Sequence, residues 1–177
     1  MGLNLVHNTI NLHDDGSNVY GYRIKDVIPK KHLGFDIYAG GQINKYIALE
    51  AFIQSTFPST THINILDVDL ETNVSSLSYG FDNVACFSID KTKKIIGMVG
   101  LGYYVFNEKM TLTNGYNSVS ESTSHTTIGY RVSIGGEYEV SDNVATRFTI
   151  KYVALNHSDK DVVTGMLDVS FGLKYMF

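Results

Sequence analysis

The residues best able to do chemistry lie in the segment LNHSDKD. It places His157 beside Ser158, and two carboxylates follow, Asp159 and Asp168. A serine nucleophile needs a histidine within hydrogen-bond reach and a carboxylate that orients the histidine ring. Adjacent residues on a strand point to opposite faces, so this pair could not act together there. We therefore interpret the segment as a polar loop and predict no catalytic residues.

The histidines and the cysteine do not indicate a metal site. The six histidines are scattered along the chain, and no two of them have the H-x₃-H spacing that is typical of zinc ligands. Cys86 is the only cysteine, which excludes an internal disulfide bond. We predict no bound metal and no cofactor.

The charged residues occupy alternate positions in segments whose other positions are apolar. The formal net charge of −4 argues against a nucleic-acid partner. The alternating positions hold six cations and six anions: Arg23, Lys25, Arg131, Arg147, Lys151 and Lys174 against Asp36, Glu50, Asp82, Glu137, Glu139 and Asp168. Buried charges persist only when they are paired, whereas a solvated face needs no such balance. We therefore predict that these side chains form a charge network inside a narrow lumen.

The elements that carry these residues are strands. Apolar and polar residues alternate with period two in seven segments, 33–43, 46–57, 74–89, 95–106, 126–140, 144–155 and 164–177. For an eighth strand we prefer residues 19–28, which leaves residues 1–18 as an N-terminal segment and residues 19–177 as a single domain. The alternative makes residues 3–12 the first strand and residues 13–32 a long first loop.

Short and long connections alternate between these strands. The short ones are residues 44–45, 90–94 and 141–143, and the long polar ones are residues 58–73, 107–125 and 156–163. Transmembrane barrels have this pattern, with short turns at the periplasmic end and longer external loops. A soluble barrel that binds a lipid would instead need apolar residues where these charges lie. The sequence therefore predicts an all-β fold, an eight-stranded antiparallel up-and-down transmembrane β-barrel, with apolar faces towards lipid.

Three segments resemble a known family: LGFDIYAGGQINKYIALEAFIQ, IGGEYEVSDNVATRFTIKY and VSFGLKYMF. They resemble strands of the small OmpA-type outer-membrane barrels, which include OmpX and the opacity-type surface proteins, over about residues 19–177. The resemblance implies that this chain, in which no signal peptide is evident, is exported to the bacterial outer membrane. It also implies an assembly signal in the last strand, formed by Phe171, Leu173, Tyr175 and Phe177.

What the resemblance implies about function concerns the external loops. Similar small barrels are adhesins or bind host serum and matrix proteins, so we predict a non-enzymatic surface protein with such a role. The loop side chains best able to make contacts are Ile63, Ile65, Tyr116 and Val119. Other expected partners are outer-membrane lipid, lipopolysaccharide and the outer-membrane assembly machinery. Three alternatives remain open: a purely structural barrel, a narrow ion-conducting pore and a lipid A-modifying hydrolase.

Overall fold

The computed structural model describes residues 1–12, 18–19, 22–23, 28–65, 68–115, 117–156 and 163–177. Eleven strands occur in this part of the chain: β1 (Gly2–Leu12), β2 (Asn18–Val19), β3 (Tyr22–Arg23), β4 (Lys31–Asn44), β5 (Ile47–Thr56), β6 (Ser59–Ile65), β7 (Val68–Ser88), β8 (Lys93–Asn114), β9 (Asn117–Ser141), β10 (Val144–Leu155) and β11 (Val163–Tyr175). No helix among the described residues is long and apolar enough to cross a membrane.

Eight of the strands form a closed ring. Each pairs antiparallel with its neighbours in the order β1, β4, β5, β7, β8, β9, β10 and β11, and β11 pairs back with β1. The seam between β1 and β11 runs from the pair Gly2–Lys174 to the pair Leu12–Val163. Closure leaves no unpaired edge in the barrel wall. The predicted eight-stranded antiparallel up-and-down barrel is confirmed.

The preferred assignment of the first strand is wrong. β1 pairs with both β11 and β4, so residues 2–12 take the place predicted for residues 19–28, and the alternative, residues 3–12, nearly matches the observed strand. β1 alternates poorly because its inward positions mix polar and apolar side chains, Asn4, Val6, Asn8 and Ile10. The described part of 19–28 includes Val19 of β2 and the whole of β3, and these two short strands pair with each other. The barrel therefore begins in the segment that was predicted to precede it.

The two longest predicted loops are also strands. Most of residues 58–73 form β6 and the first part of β7, and residues 107–125 form the adjoining ends of β8 and β9. These parts lie beyond the ring, on the side away from the short turns. We define the outer sheet as residues 59–65, 68–74, 107–114 and 117–125. Its lowest complete row is Ser59–Val74–Glu108–Thr123. The sheet is an extension of the barrel wall rather than a set of irregular loops.

The two faces of the wall are divided as predicted. Large apolar side chains point outward and are exposed, among them Leu5, Leu33, Ile53, Phe81, Val99, Leu101, Tyr130, Val132, Ile134, Ile150, Phe171 and Leu173. Charged and polar side chains point inward and are buried, among them Asp36, Glu50, Asp82, Arg131, Glu137, Arg147, Lys151 and Asp168. This arrangement suits a wall surrounded by lipid, which solvates apolar surface.

The outward face changes character at one level on three strands. Below it lie Leu77 on β7, Val105 on β8 and Ile128 on β9, and above it the outward positions are Ser, Thr, Asn, Asp, Glu or Lys. On β8 the apolar band runs from Ile95 to Val105. At a rise of ~3.4 Å per residue and a tilt of ~40°, this band is about 26 Å high, close to the apolar height of outer-membrane barrels. The level above Leu77, Val105 and Ile128 is therefore the upper membrane boundary.

Candidate functional site

Arg147 is the centre of the charged lumen. It lies on β10, and its guanidinium donates two hydrogen bonds to Glu50 of β5, at 2.6 and 2.7 Å. Its Nε donates a third bond, of 2.7 Å, to Glu137 on the adjacent strand β9. Lys174 donates to both oxygens of Glu137, at 3.0 and 3.2 Å. Two-pronged contacts between guanidinium and carboxylate are the strongest type of charged hydrogen bond, so this cluster fastens β5, β9, β10 and β11 together.

A second set of pairs lies deeper in the lumen. Lys151 Nζ is 3.4 Å from Asp36 and 3.2 Å from the side-chain oxygen of Gln54. Asp168 accepts hydrogen bonds from Asn8, at 2.6 Å, and from Gln54, at 3.0 Å. These contacts supply partners from β1, β4, β5 and β11 to charges that are almost fully buried.

Arg131 of β9 forms a third ion pair, which crosses β8 to reach Asp82 of β7. Its Nε is 3.0 Å from Asp82 Oδ1, and both side chains are buried. Its guanidinium carbon also lies 3.5 Å from the centre of the Phe52 ring. The aromatic face stabilises a cation that has little access to water.

The structure brings nine of the twelve predicted network residues together in the lumen: Asp36, Glu50, Asp82, Arg131, Glu137, Arg147, Lys151, Asp168 and Lys174. Glu139 instead pairs with Lys94 at 2.5 Å, near the short turns. Arg23 belongs to β3, whose side chains are not described, and Lys25 lies outside the described residues. Sequence reasoning did not include Asn8 or Gln54, which need a known first strand and a known register to be placed.

The upper part of the lumen is apolar rather than charged. A buried cluster fills it: Ile10, Ile28, Val74, Tyr104, Phe106, Val153, Leu155 and Met166. The sequence did not predict this layer, because its residues lie on faces that elsewhere carry charges. Apolar side chains at this depth obstruct ions, since an ion would lose its water without gaining a partner.

The lower part of the lumen is a vestibule. A cavity of ≈ 460 Å³ opens among the short turns and reaches Glu50, Glu137 and Lys174. Cys86 contributes a half-buried thiol to its wall. Above the vestibule, the side chains around Arg131, Arg147 and Lys151 enclose a cavity of only ≈ 10 Å³. That volume holds about one water molecule, so the described lumen narrows sharply above the vestibule.

The outer sheet has one polar face and one face that continues the lumen. Hydroxyl and amide side chains pair across the polar face, as in Thr111–Ser120 at 2.9 Å and Thr60–Asn73 at 3.2 Å. On the other face Leu70 is buried, whereas Val119 is 69% exposed. These contacts make the sheet an ordered surface above the membrane boundary.

The outer sheet is acidic. Its described residues include four anions, Asp69, Glu71, Glu108 and Glu121, and one cation, Lys109, which gives −3 with His62 and His125 neutral. Glu108 and Glu121 line a groove of ≈ 190 Å³ together with His125. Burial raises the pKa of Glu108, and the nearby His125 opposes this shift. The sheet therefore presents a weakly negative surface.

The other predicted site residues are distributed as follows. Ile63 is half-buried in β6, the side chain of Ile65 is not described, and Tyr116 lies outside the described residues. Phe171, Leu173 and Tyr175 lie on the outward face of β11, and Phe177 is 94% exposed. Their role as an assembly signal stays a prediction. His157, Ser158 and Asp159 lie outside the described residues. Among the residues that the structure describes, no group of three or more His, Cys, Asp or Glu side chains could hold a metal ion.

Comparison with known proteins identifies the same architecture. The sequence profile of the family described as "Outer membrane protein beta-barrel domain" matches residues 1–177. No curated protein sequence matches the chain significantly.

Three solved structures are similar to the chain. One is Ail, the attachment invasion locus protein of Yersinia pestis, in complex with the heparin analogue sucrose octasulfate; it is 18% identical with a TM-score of 0.54, covering 99% of this chain and 97% of Ail. Neisserial surface protein A is 16% identical with a TM-score of 0.59, covering 99% and 96%. OprG from Pseudomonas aeruginosa is 11% identical with a TM-score of 0.57, covering 99% and 96%. At these identities, the similarity supports the fold alone.

Proposed function

We propose that this chain, which belongs to the outer membrane protein beta-barrel domain family, is a non-enzymatic surface protein that binds extracellular proteins through its outer sheet. Its location is the bacterial outer membrane. The observation that carries the proposal is the continuation of β7, β8 and β9 above the membrane boundary, where β6 pairs beside β7. From Ser124 to Asn117, β9 rises on the order of 20 Å beyond the boundary, at ~3.4 Å per residue and ~40° tilt.

An ordered sheet of this height exceeds what connecting the barrel strands requires. Two-residue turns join β4 to β5 and β9 to β10 at the opposite end, so short connections are sterically sufficient. Surfaces that are held on a rigid scaffold are where binding usually resides. This favours binding over the second candidate, a purely structural barrel.

The charge of the outer sheet restricts the ligand. The structure of Ail contains a heparin analogue, which is a sulfated polyanion. The described outer sheet here carries −3, so a polyanion would be repelled. A protein with a neutral or basic surface suits it better, which supports host serum or matrix proteins as partners rather than sulfated glycans.

The filled lumen argues against the pore alternative. The cavity that the described paired charges enclose has a volume of only ≈ 10 Å³, and an apolar cluster lies above it, whereas a pore needs a continuous aqueous path. The hydrolase alternative rested on His157 and Ser158, and no described contact supports it. The charge network acts as a structural plug that holds the wall rigid beneath the outer sheet.

Trimming the outer sheet tests the proposal. Residues 60–73 and 109–122 are each replaced by Asn-Gly, so that both hairpins end at the row Ser59–Val74–Glu108–Thr123. Asn-Gly favours the two-residue turn that closes such a hairpin. In detergent, both proteins should show the heat-dependent gel shift of a closed barrel. We expect the wild-type chain to bind immobilised serum or matrix proteins saturably and the trimmed variant to lose that binding.

A matched control alters the other end of the molecule. Thr92→Ala changes an exposed short turn and should leave binding unchanged. Equal binding by the trimmed variant would contradict a role for the outer sheet. Failure of the wild-type chain to bind any of these proteins would favour the structural role.

A further inference from the structure

We propose that two copies of this chain associate side by side in the membrane, through a notch on the lipid-facing wall of the barrel. We define the notch as Asn83 and Ala85 on β7 together with their pairing partners on β8, Val99 and Gly97. The inference is independent of the proposed binding of extracellular proteins, because it concerns the membrane-spanning wall and not the outer sheet.

Asn83 places a primary amide inside the apolar band. The residue is exposed on the outward face of β7, since its chain neighbours Asp82 and Val84 are buried on the inward face. Its partner on β8 is Val99, four positions above Ile95, where the apolar band begins. At a rise of ~3.4 Å per residue and a tilt of ~40°, this level is about 10 Å inside the band. The short asparagine side chain cannot extend to water over that distance, as a long lysine or arginine can.

The side chains around this amide offer it no hydrogen bond within the described wall. Its outward neighbours are all apolar: Phe81 and Ala85 on the same strand, Leu49 on β5 and Val99 on β8. A polar group that stays unsatisfied in hydrocarbon is costly. The amide of Asn83 is therefore stabilised when a second polar group reaches it from outside the wall.

The wall is thin beside this amide. Ala85 and Gly97 are pairing partners, and alternation places both on the outward face. A Cβ at Gly97 would meet no atom within 4 Å, so no neighbour in the described barrel requires glycine there. A Cβ at Gly80, on the inward face, would instead collide with the backbone of Leu101. Glycine within a strand often marks a place where another backbone approaches closely, and at Gly97 that approach can come only from outside.

His7 also faces outward, on β1, but large side chains flank it. Its partners are Leu33 on β4 and Val169 on β11. Two positions above it, Thr9 pairs with the exposed cation Lys31, so the imidazole lies near the upper boundary of the membrane. An outward polar group and room for a neighbouring wall therefore coincide at the notch and not at His7.

A second copy is the partner that fits the notch. Two copies in one membrane are related by a two-fold rotation about the membrane normal, which keeps each residue at its own depth. Asn83 of one copy then faces Asn83 of the other. A primary amide has both N–H donors and a C=O acceptor, so two of them satisfy each other. Membrane-spanning helices associate through the same combination of polar side chains and small residues, which lets their backbones approach closely.

Energy transfer between labelled copies tests the association. In a Cys86→Ser background, Thr92→Cys on a short turn carries a donor or an acceptor dye, and both labelled forms are folded together into phosphatidylcholine vesicles. Asn83→Leu removes the amide, whereas Gly97→Val fills the notch and keeps the amide. His7→Leu is the matched control, because it also replaces an outward polar side chain with leucine. The heat-dependent gel shift verifies that each variant forms a closed barrel.

We expect the parent chain and His7→Leu to show the same energy transfer, which rises and saturates with the protein-to-lipid ratio. Asn83→Leu and Gly97→Val should each need at least about a tenfold higher ratio to reach the same transfer. Two results would overturn the proposal. One is unchanged transfer in either notch variant, and the other is transfer in the parent chain no greater than that of randomly distributed copies.

Photo-cross-linking identifies the occupant of the notch. In the same Cys86→Ser background, the thiol of Ala85→Cys carries a benzophenone, and outer membranes that contain the labelled chain are illuminated. We expect a product with the mass of two copies of the chain. Ile150→Cys, on the outward face of β10, is the control and should give no such product. A product that joins Ala85→Cys only to a different protein would contradict the pairing of two copies.

Discussion

Replacing Arg147 with methionine will lower the free energy of unfolding of the barrel by about 3–5 kcal/mol, the usual cost of leaving buried carboxylates unpaired. Arg147 is 2% exposed and bonds both Glu50 and Glu137. In its absence, Lys174 is the one cation among the described residues that still pairs with these two carboxylates, at 3.9 Å from Glu50 and 3.0 Å from Glu137. Methionine retains most of the side-chain volume, so the loss reports the charge rather than a cavity.

The free energy of unfolding is measured by titrating the protein with urea in lipid vesicles. At each urea concentration, the heat-dependent gel shift reports the fraction of the protein that is still folded. Glu137→Ala should cost less, on the order of 3 kcal/mol, because Arg147 keeps its two bonds to Glu50. The matched control is Lys109→Met, which removes an exposed cation from the outer sheet and should change stability by less than ~0.5 kcal/mol. Equal stability of Arg147→Met and the wild-type chain would contradict the structural plug.

Replacing Ile134 with arginine will destabilise the inserted barrel by about 2–4 kcal/mol, the cost of a cation on the lipid face near the bilayer midplane. Ile134 is 62% exposed and lies midway along the outward apolar band of β9, between Ile128 and Val140. In a water-soluble barrel, arginine at such an exposed position would cost little, so the substitution distinguishes the two environments.

The matched control lies on the same face of the same strand. Ser122→Arg places the same side chain above the membrane boundary, where it should cost less than ~0.5 kcal/mol. The comparison uses the same urea titration in vesicles. Similar stability for Ile134→Arg and Ser122→Arg would show that the outward band of β9 does not face lipid.

The wall could be predicted from the sequence because its two faces meet different surroundings. Lipid outside and paired charges inside impose strict alternation, as with Val132 and Ile134 outside against Arg131 and Ser133 inside. β1 was not the preferred first strand because its inward face combines asparagines near the charge network with Ile10 in the apolar cluster. A strand that spans two kinds of lumen shows no single pattern.

The outer sheet could not be predicted from alternation, because water reaches much of both its faces. Apolar residues are then sparse, and a strand such as Ser118–Ser124 has the composition of a loop. One signal was present: Gly115 directly follows the end of β8, and its φ of +55° is one that glycine adopts readily in a tight turn. The threonines and serines that flank it repeat every second residue, as the observed strands require.

The charge network could be predicted as a set but not as pairs. Arg147 and Glu50 are 97 residues apart in sequence, and they meet only because the ring closes with β5 and β10 facing each other across the lumen. The stagger of the strands decides which cation lies level with which anion. The same holds for the apolar cluster, whose members come from five barrel strands and the segment that precedes β4.

The most direct test of the account is the side of the membrane on which the outer sheet lies. In a Cys86→Ser background, Ser122→Cys places a thiol on the outer sheet and Thr92→Cys places one on a short turn. Cells that express each variant are treated with a membrane-impermeant maleimide before and after permeabilisation. The account predicts that Ser122→Cys is labelled on intact cells and Thr92→Cys only after permeabilisation. Labelling of Thr92→Cys alone on intact cells would contradict it, because the outer sheet would then face the periplasm.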